Sequence, residues 1–242
     1  MPKTAQRFEI PGRTVHWFES IGSTMTAAAE FAREGAPHGT VVVADQQTAG
    51  IGRHGHSWHS QPGGLYVSIV LRLPEAVPVL MLALGLAARE AIAKASGLQP
   101  DLRWPNDVLL HGPKCGGRKC AGVLAQLEGG AMIAGIGINV SQTEFPEGLD
   151  ATSLRLAGAT ATREDVLLAL VQAVDRYCRE TPAAILRMFE ASSSYARGLR
   201  VRVDQNGIEG VTQGLDPSGF LIVRQDNGRD STILAGGVRP CS

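Results

Sequence analysis

A chain of 242 residues suits one large domain, or a large and a small one. Its 44% hydrophobic and 19% charged content is enough to bury a full core and excludes a disordered chain. Lys+Arg and Asp+Glu both number 23, so the formal net charge is zero, which argues against a dedicated nucleic-acid binder with its usual basic surplus.

The opening "MPKTAQRFEIPGRTVHWFES" has no long apolar core of the signal-peptide or anchor kind. No apolar run reaches the ~18 residues of a membrane-spanning helix. The four cysteines, Cys115, Cys120, Cys178 and Cys241, form no C-x-x-C pair, and free thiols in a reducing compartment are the simplest reading. These features point to a soluble, cytoplasmic protein with no membrane partner.

"TVHWFES" reads as a short strand. "GSTMTAAAEFAREGA" follows as a helix, with Ser23 or Thr24 as N-cap and Gly35 as a stop. "GTVVVAD" is a continuous apolar run of strand type, and "GGLYVSIVLRL" alternates as a strand does. Between them lies the glycine-rich "DQQTAGIGRHGHSWHS". "PVLMLALGLAAREAIAKASG" is strongly helical and bounded by Pro78 and Gly97. "DLRWPNDVLLHG", "GRKCAGVLAQLEGG" and "AMIAGIGINV" read as consecutive strands joined by turns, with Gly129-Gly130 as a tight hairpin. "TREDVLLALVQAVDRYCRE" is a helix with Thr162 as cap and acids close behind, and "TPAAILRMFEASSSYA" is helical too. After Ala196 the helical period disappears. Short β-type runs separated by "QNG", "DPSG" and "DNG" turns predict a small all-β barrel of about five strands. The expected division is therefore 1–196 and 197–242. Mixed helices and hairpin-joined strands without regular βαβ alternation favour an α+β mixed sheet over a Rossmann sheet. The G-x-G-x-x-G spacing of "GIGRHG" agrees with that, because a strand rather than a helix follows it.

Four clusters can carry chemistry. In the loop, Gly50, Gly52 and Gly55 let backbone N–H groups face a ligand, Arg53 can bind phosphate or carboxylate bidentately, and Trp58 can stack or seal a pocket. A mobile surface loop is the plainer reading. "RWPND", Arg103 to Asp107, ends in Asn106 and Asp107, which suit hydrogen bonding or a magnesium site and equally suit an ordinary turn. Lys119 stands in a largely apolar β-type run, where a lysine more often snorkels to solvent. Asn139 ends an apolar strand.

Taken in order, "STM", "GIGRHGHSW", "RWPND", "KCAGVL", "GIGIN" and "ATSL" resemble the ordered motifs of biotin–protein ligases, enzymes that load biotin onto carrier proteins. The resemblance covers residues 15–156 and, more loosely, the β-rich end with its "GGVRP". It implies an α+β catalytic domain related to class II aminoacyl-tRNA synthetases, spanning 1–196, with a small C-terminal β-barrel at 197–242. The departures are Met25 in place of an asparagine, Ile51 and His56 in place of loop arginines, and Arg103 in place of a lysine.

The resemblance further implies ATP, biotin and Mg2+ as ligands. The biotin carboxylate would attack the α-phosphorus of ATP, and a carrier lysine would then take the acyl group. Lys119, Arg53 and Asp107 are the implied catalytic residues. Biotin would meet Ser23, Thr24, Gln47, Gly50, Ile51, Lys119, Gly122 and Ala125. ATP would meet Arg53, Gly55, His56, Trp58, Asn106 and Asn139, with Asn106 and Asp107 helping to hold magnesium. The implied partner is a biotin carboxyl carrier protein or domain, such as that of acetyl-CoA carboxylase, with a homodimer possible. Only some 14 residues precede the first strand, so no helix-turn-helix fits there and no sequence-specific DNA binding is expected. A lipoate or octanoate ligase or transferase of the same fold stays open. So does a biotin-binding module with impaired catalysis. A zinc hydrolase built on His54, His56 and His59 is a further alternative.

Overall fold

The computed structural model describes residues 9–73, 79–113, 115–205 and 207–241. Seven strands form one mixed sheet: β1 (Val15–Ile21), β2 (Val41–Gln47), β3 (Gly64–Leu71), β4 (Asp101–Arg103), β5 (Asp107–Leu110), β6 (Arg118–Glu128) and β7 (Ala131–Asn139). Their spatial order is β1-β2-β3-β7-β6-β5-β4. β1 and β2 pair in parallel and every other ladder of this sheet is antiparallel, which is the α+β mixed sheet expected.

Helices cover both faces. α1 (Thr24–Arg33) buries an alanine-rich stripe against β2, β3 and β7, giving a small core with Phe18, Val42, Val70 and Ile133. α2 (Leu80–Ser96) lies on the other face, under α3 (Arg163–Tyr177) and α4 (Pro182–Ala191). Covered on two sides, α2 is apolar nearly all round, as a buried helix must be. The central strand β3 is buried along its whole length for the same reason. The caps follow the sequence: Thr162 Oγ1 accepts from the Asp165 N–H at 3.1 Å, and Gly97 ends α2 in the left-handed region. Ser23 sits at the N-cap of α1, but its hydroxyl makes no cap hydrogen bond. The Pro78 boundary and part of the "QNG" turn lie outside the described residues.

One detail departs from the simplest strand reading. "DLRWPNDVLL" is a hairpin, β4 and β5, with Trp104, Pro105 and Asn106 as its turn. The Gly129-Gly130 hairpin forms as expected, both glycines at positive φ.

The C-terminal β8 (Arg197–Val203), β9 (Glu209–Leu215), β10 (Leu221–Arg224), β11 (Asp230–Ile233) and β12 (Val238–Pro240) make a separate antiparallel sheet of order β11-β10-β9-β8-β12. Register shifts in the β8–β9 and β9–β10 ladders bend it. Its inward residues Val201, Val203, Leu221, Val223, Ile233 and Val238 belong to the same core as α2 and α3.

Candidate active site

The face of the large sheet covered by α1 carries a cleft. Its floor is made by two adjacent strands that carry three glycines where they meet. Gly122 of β6 pairs with Gly137 of β7, and Leu124 pairs with Gly135 one step further along. Because side chains alternate at period 2, these pairs lie on one face, above Tyr66 and Ser68 of β3. The missing Cβ atoms are required. A Cβ on Gly137 would lie 2.5 Å from Trp58 Nε1, and one on Gly122 would lie 2.8 Å from Trp58 Cζ3. The indole therefore lies flat on the glycine pair. Met25, from the first turn of α1, covers Gly135 in the same way. Thr24, Gln47, Ile51, Gly52, Arg53, Asn106 and Lys119 complete the rim.

One end of the cleft is cationic. Lys119 Nζ stands 4.9 Å above the Trp58 ring and 2.5 Å from Asp107 Oδ1. Arg103 donates to Asp107 Oδ2 from Nη2 at 2.7 Å and from Nε at 3.2 Å. Arg53 donates to Asn106 Oδ1 at 2.9 Å and to the Gly236 carbonyl at 3.2 Å. Burial pushes the Asp107 carboxyl up, but the Lys119 and Arg103 charges and their hydrogen bonds outweigh it and hold it below its usual range. Burial lowers the Arg53 guanidinium, and Asp107 partly restores it. Two cations thus share one ionised carboxylate, and Arg53 on the adjacent Asn106 adds a third positive charge for incoming anions.

Lys119 reaches this position through a β-bulge. In the β5–β6 ladder Val108 pairs with Ala121 and Leu109 with Lys119, so Cys120 is the extra residue. Without it, Lys119 and Gly122 would point to opposite faces. The backbone of Lys119 is pinned by the "ATSL" segment: the Thr152 N–H donates to its carbonyl at 2.9 Å. The opposite end of the cleft is a neutral polar chain. Gln47 Oε1 accepts from the Thr24 N–H and hydroxyl at 2.8 and 3.0 Å, and Ser68 donates to Thr24 Oγ1 at 2.9 Å. Gln47 Nε2 donates to Ser60, which donates to the Trp58 carbonyl at 2.9 Å and so ties the loop to α1. Among the described residues, the buried Ser23 hydroxyl and Trp58 Nε1 have no partner.

The cleft gathers Thr24, Gln47, Ile51, Arg53, Trp58, Asn106, Lys119 and Gly122 from the sequence-derived set. Asp107 joins through Lys119 and Ser23 through its place before Thr24. Other members lie elsewhere. Ala125 faces the opposite side of the sheet, packed on the α2 core, because odd and even residues of β6 point apart beyond the bulge. Asn139 is buried away from the cleft, its Nδ2 on the Thr152 carbonyl, and so supports the segment that pins Lys119. Gly50 closes the loop on itself, where a Cβ would lie 2.5 Å from the Trp58 carbonyl oxygen. Gly55 and His56 stay on the exposed outer turn of the loop. Trp58, expected beside the nucleotide, lies on the floor between Lys119 and the glycines. Asn106 and Asp107 do not fit a protein-held magnesium: Arg53 occupies the Asn106 oxygen, and cations occupy both Asp107 oxygens. Among the described residues no three His, Cys, Asp or Glu groups cluster to hold a metal, His54, His56 and His59 included. Tyr66, Leu124, Gly135 and Gly137 line the cleft although the sequence reading did not select them for it, and Met25, noted there only as a departure from the family motif, lines it too. The period-2 spacing of the two glycines in "GIG" is the signal that could have done so.

A glycine-floored cleft with a cationic end on an α+β sheet defines a binding domain suited to an anionic ligand, and comparison with known proteins gives its family. The sequence model described as the biotin/lipoate A/B protein ligase family matches residues 17–142. The chain is 34% identical over 244 residues to the bifunctional ligase/repressor BirA of Bacillus subtilis, covering 91% of this chain and 72% of that protein. It is 33% identical over 239 residues to the biotin–[acetyl-CoA-carboxylase] ligase of Mycobacterium tuberculosis, covering 90% and 85%. Among solved structures, the biotin protein ligase of Aquifex aeolicus in complex with biotin and ATP superposes with a TM-score of 0.82 at 32% identity, over 94% of this chain and 99% of that one. The chain belongs to the biotin/lipoate A/B protein ligase family. Among the described residues, no helix is long and apolar enough to cross a membrane.

Proposed function

We propose that the chain is an ATP-dependent biotin–protein ligase. The biotin carboxylate attacks the α-phosphorus of ATP, giving biotinyl-AMP and pyrophosphate. The neutral amine of a carrier-domain lysine then attacks the acyl carbon, the bond from that carbon to the AMP oxygen breaks, AMP leaves, and the amine proton passes to solvent. The observation that carries this reading is the placement of Lys119 and Arg103 on one carboxylate, with Arg53 on the adjacent Asn106, at one end of the glycine-floored cleft. The first step brings two anions together, and fixed cations in a site shielded from water offset their repulsion.

In this reading Lys119 bridges the acid carboxylate and the α-phosphate, and Arg53 leaves Asn106 to hold phosphate oxygens. Trp58 and the glycine floor hold the acyl chain. Ser23, Thr24 and Gln47 hydrogen-bond the ureido ring, and the unpartnered Ser23 hydroxyl supports that role. Asp107, held ionised between two cations, is a weak base. Its part is to position Lys119 and to attract the ammonium of the incoming lysine, rather than to remove its proton. The partner is a biotin carboxyl carrier protein or domain, in keeping with the names of the relatives.

Because the family also includes lipoate ligases, the test is acid-dependent exchange of labelled pyrophosphate into ATP with biotin, lipoate and octanoate in parallel. Exchange with biotin alone is expected. Exchange only with lipoate or octanoate would overturn the substrate assignment. Biotin binding without exchange would leave a binding module.

A further inference from the structure

The Trp58 ring lies on Gly122 and Gly137, with Lys119 Nζ 4.9 Å from its centroid. Among the described residues Trp58 Nε1 has no partner, so no hydrogen bond of its own fixes the ring. Its orientation rests on the floor beneath it and on the backbone that carries it. That backbone is held by a side chain that does not line the cleft, Ser60, which is 4% exposed. The Ser60 hydroxyl donates to the Trp58 carbonyl at 2.9 Å and accepts from Gln47 Nε2 at 2.8 Å. A serine hydroxyl has one proton, so with that proton on Trp58 it can only accept from Gln47. At the other end of the same amide, the Thr24 N–H is a fixed donor to Gln47 Oε1. The Ser60 carbonyl also accepts from the Gln47 N–H at 3.1 Å. The packing leaves no slack around these groups. A Cβ on Gly50 would lie 2.5 Å from both Ser60 Oγ and the Trp58 carbonyl oxygen.

We propose that Ser60 is a positioning residue for the reaction. Through the Trp58 carbonyl it holds the indole flat on the glycine floor and against Lys119, without lining the cleft itself. This rests on the ligase reading and deepens it. Removing the hydroxyl leaves the buried Trp58 carbonyl without that donor and Gln47 Nε2 without that acceptor. The base of the glycine loop then loosens, and the indole can tilt off the floor. The acyl chain loses a flat wall, and Lys119 loses the ring it stands over. Both losses pass through the ring, so they disappear when the ring is absent.

The test is a double-mutant cycle read by pyrophosphate exchange with biotin. Trp58→Ala removes the ring but keeps the carbonyl that Ser60 holds. Ser60→Ala should lower kcat/KM for biotin roughly tenfold in the wild-type chain and less than about twofold in Trp58→Ala. Ser60→Cys is close in shape and a weak donor. It should show a smaller fall that Trp58→Ala also erases, and it carries the cycle if Ser60→Ala does not fold. Equal falls in both backgrounds would overturn the proposal, because Ser60 would then act through Gln47 or through the loop as a whole. Where exchange drops below detection, the cycle is read on the biotin dissociation constant, with the same ratios expected. A second readout follows the ring itself. Trp17, Trp58 and Trp104 are the three tryptophans of the chain, so Trp17→Phe/Trp104→Phe leaves Trp58 as the only indole emitter. Adding Ser60→Ala should raise its quenching by acrylamide roughly twofold, and unchanged quenching would count against the proposal as firmly as an additive cycle. If that background does not fold, the cycle decides alone. Should the wild-type chain use lipoate or octanoate and not biotin, the substrate assignment fails separately, and the Ser60–Trp58 cycle is scored with the acid that works.

Discussion

Asp107 is the residue on which the cationic end turns. It is ionised because Lys119 and Arg103 outweigh its burial, and both of its oxygens are in use. Replacing it with asparagine leaves two cations facing each other without a counter-charge, which should cost about 3 kcal/mol of stability. The sign of the pH dependence follows from the depressed value. The carboxylate's contribution is complete above its ordinary value of 3.8 and is lost as pH falls through the lower folded-state value. The difference in Tm between wild type and Asp107→Asn should therefore hold steady from neutral pH down to about pH 4 and close below it. A difference that vanished between pH 5 and 7 would mean that Asp107 is not held in this pair. Lys119 has the more direct task. Lys119→Gln keeps a hydrogen-bonding side chain but removes the charge. It should lower pyrophosphate exchange by roughly 10²- to 10³-fold, with biotin binding reduced far less.

At the scale of elements, the site is the product of strand alternation interrupted once. The Cys120 bulge turns Lys119 onto the cleft face, and the glycines opposite it make room for Trp58. Gly137→Ala tests the second half of this. Its Cβ would lie 2.5 Å from Nε1 of a rigid indole, so the ring must lift from the floor. KM for biotin should rise roughly tenfold, with about 1–3 kcal/mol lost from stability. Wild-type KM in a folded Gly137→Ala protein would show that the indole does not need that floor. The same feature explains what the sequence could disclose. Caps and turns are local, so Thr162 before its acids and Gly129-Gly130 between two apolar runs were legible as they stand. The β4–β5 hairpin was less so, because its turn begins with an apolar tryptophan and the run reads as continuous. Faces depend on counting, and one hidden bulge shifts the count. Lys119 was recognisable only through its motif, and the expected contact Ala125 packs on the α2 side of the sheet. Asn139 has the chemistry of a ligand contact but spends it on the Thr152 carbonyl, a partner thirteen residues away that only folding reveals.

For the whole molecule, the question is whether the C-terminal sheet is an appendage or part of the catalytic unit. Its inward valines and isoleucine share one core with α2 and α3. Polar links reinforce that packing. Trp104 Nε1, in the β4–β5 turn, donates to the Gly219 carbonyl at 2.9 Å, and Arg53 of the glycine loop reaches Gly236. Glu190 of α4 accepts from the Leu215 N–H at 2.7 Å. A shared core predicts one cooperative unfolding transition rather than two. Trp104→Phe probes this link with little change in shape. It removes the only N–H of a side chain that is 3% exposed and leaves the Gly219 carbonyl without that donor. The expected cost is about 1–3 kcal/mol, the penalty for an unsatisfied buried group. If the two sheets fold as one unit, the whole transition moves down together, and calorimetry still finds a single peak whose enthalpy matches the van't Hoff value. If the C-terminal sheet is a separate domain docked at 197, a small early transition splits off and the main peak stays where it was. In the first case the Arg53–Gly236 contact joins the glycine loop to the global stability of the chain. In the second, the loop can be released by local opening of the small sheet alone.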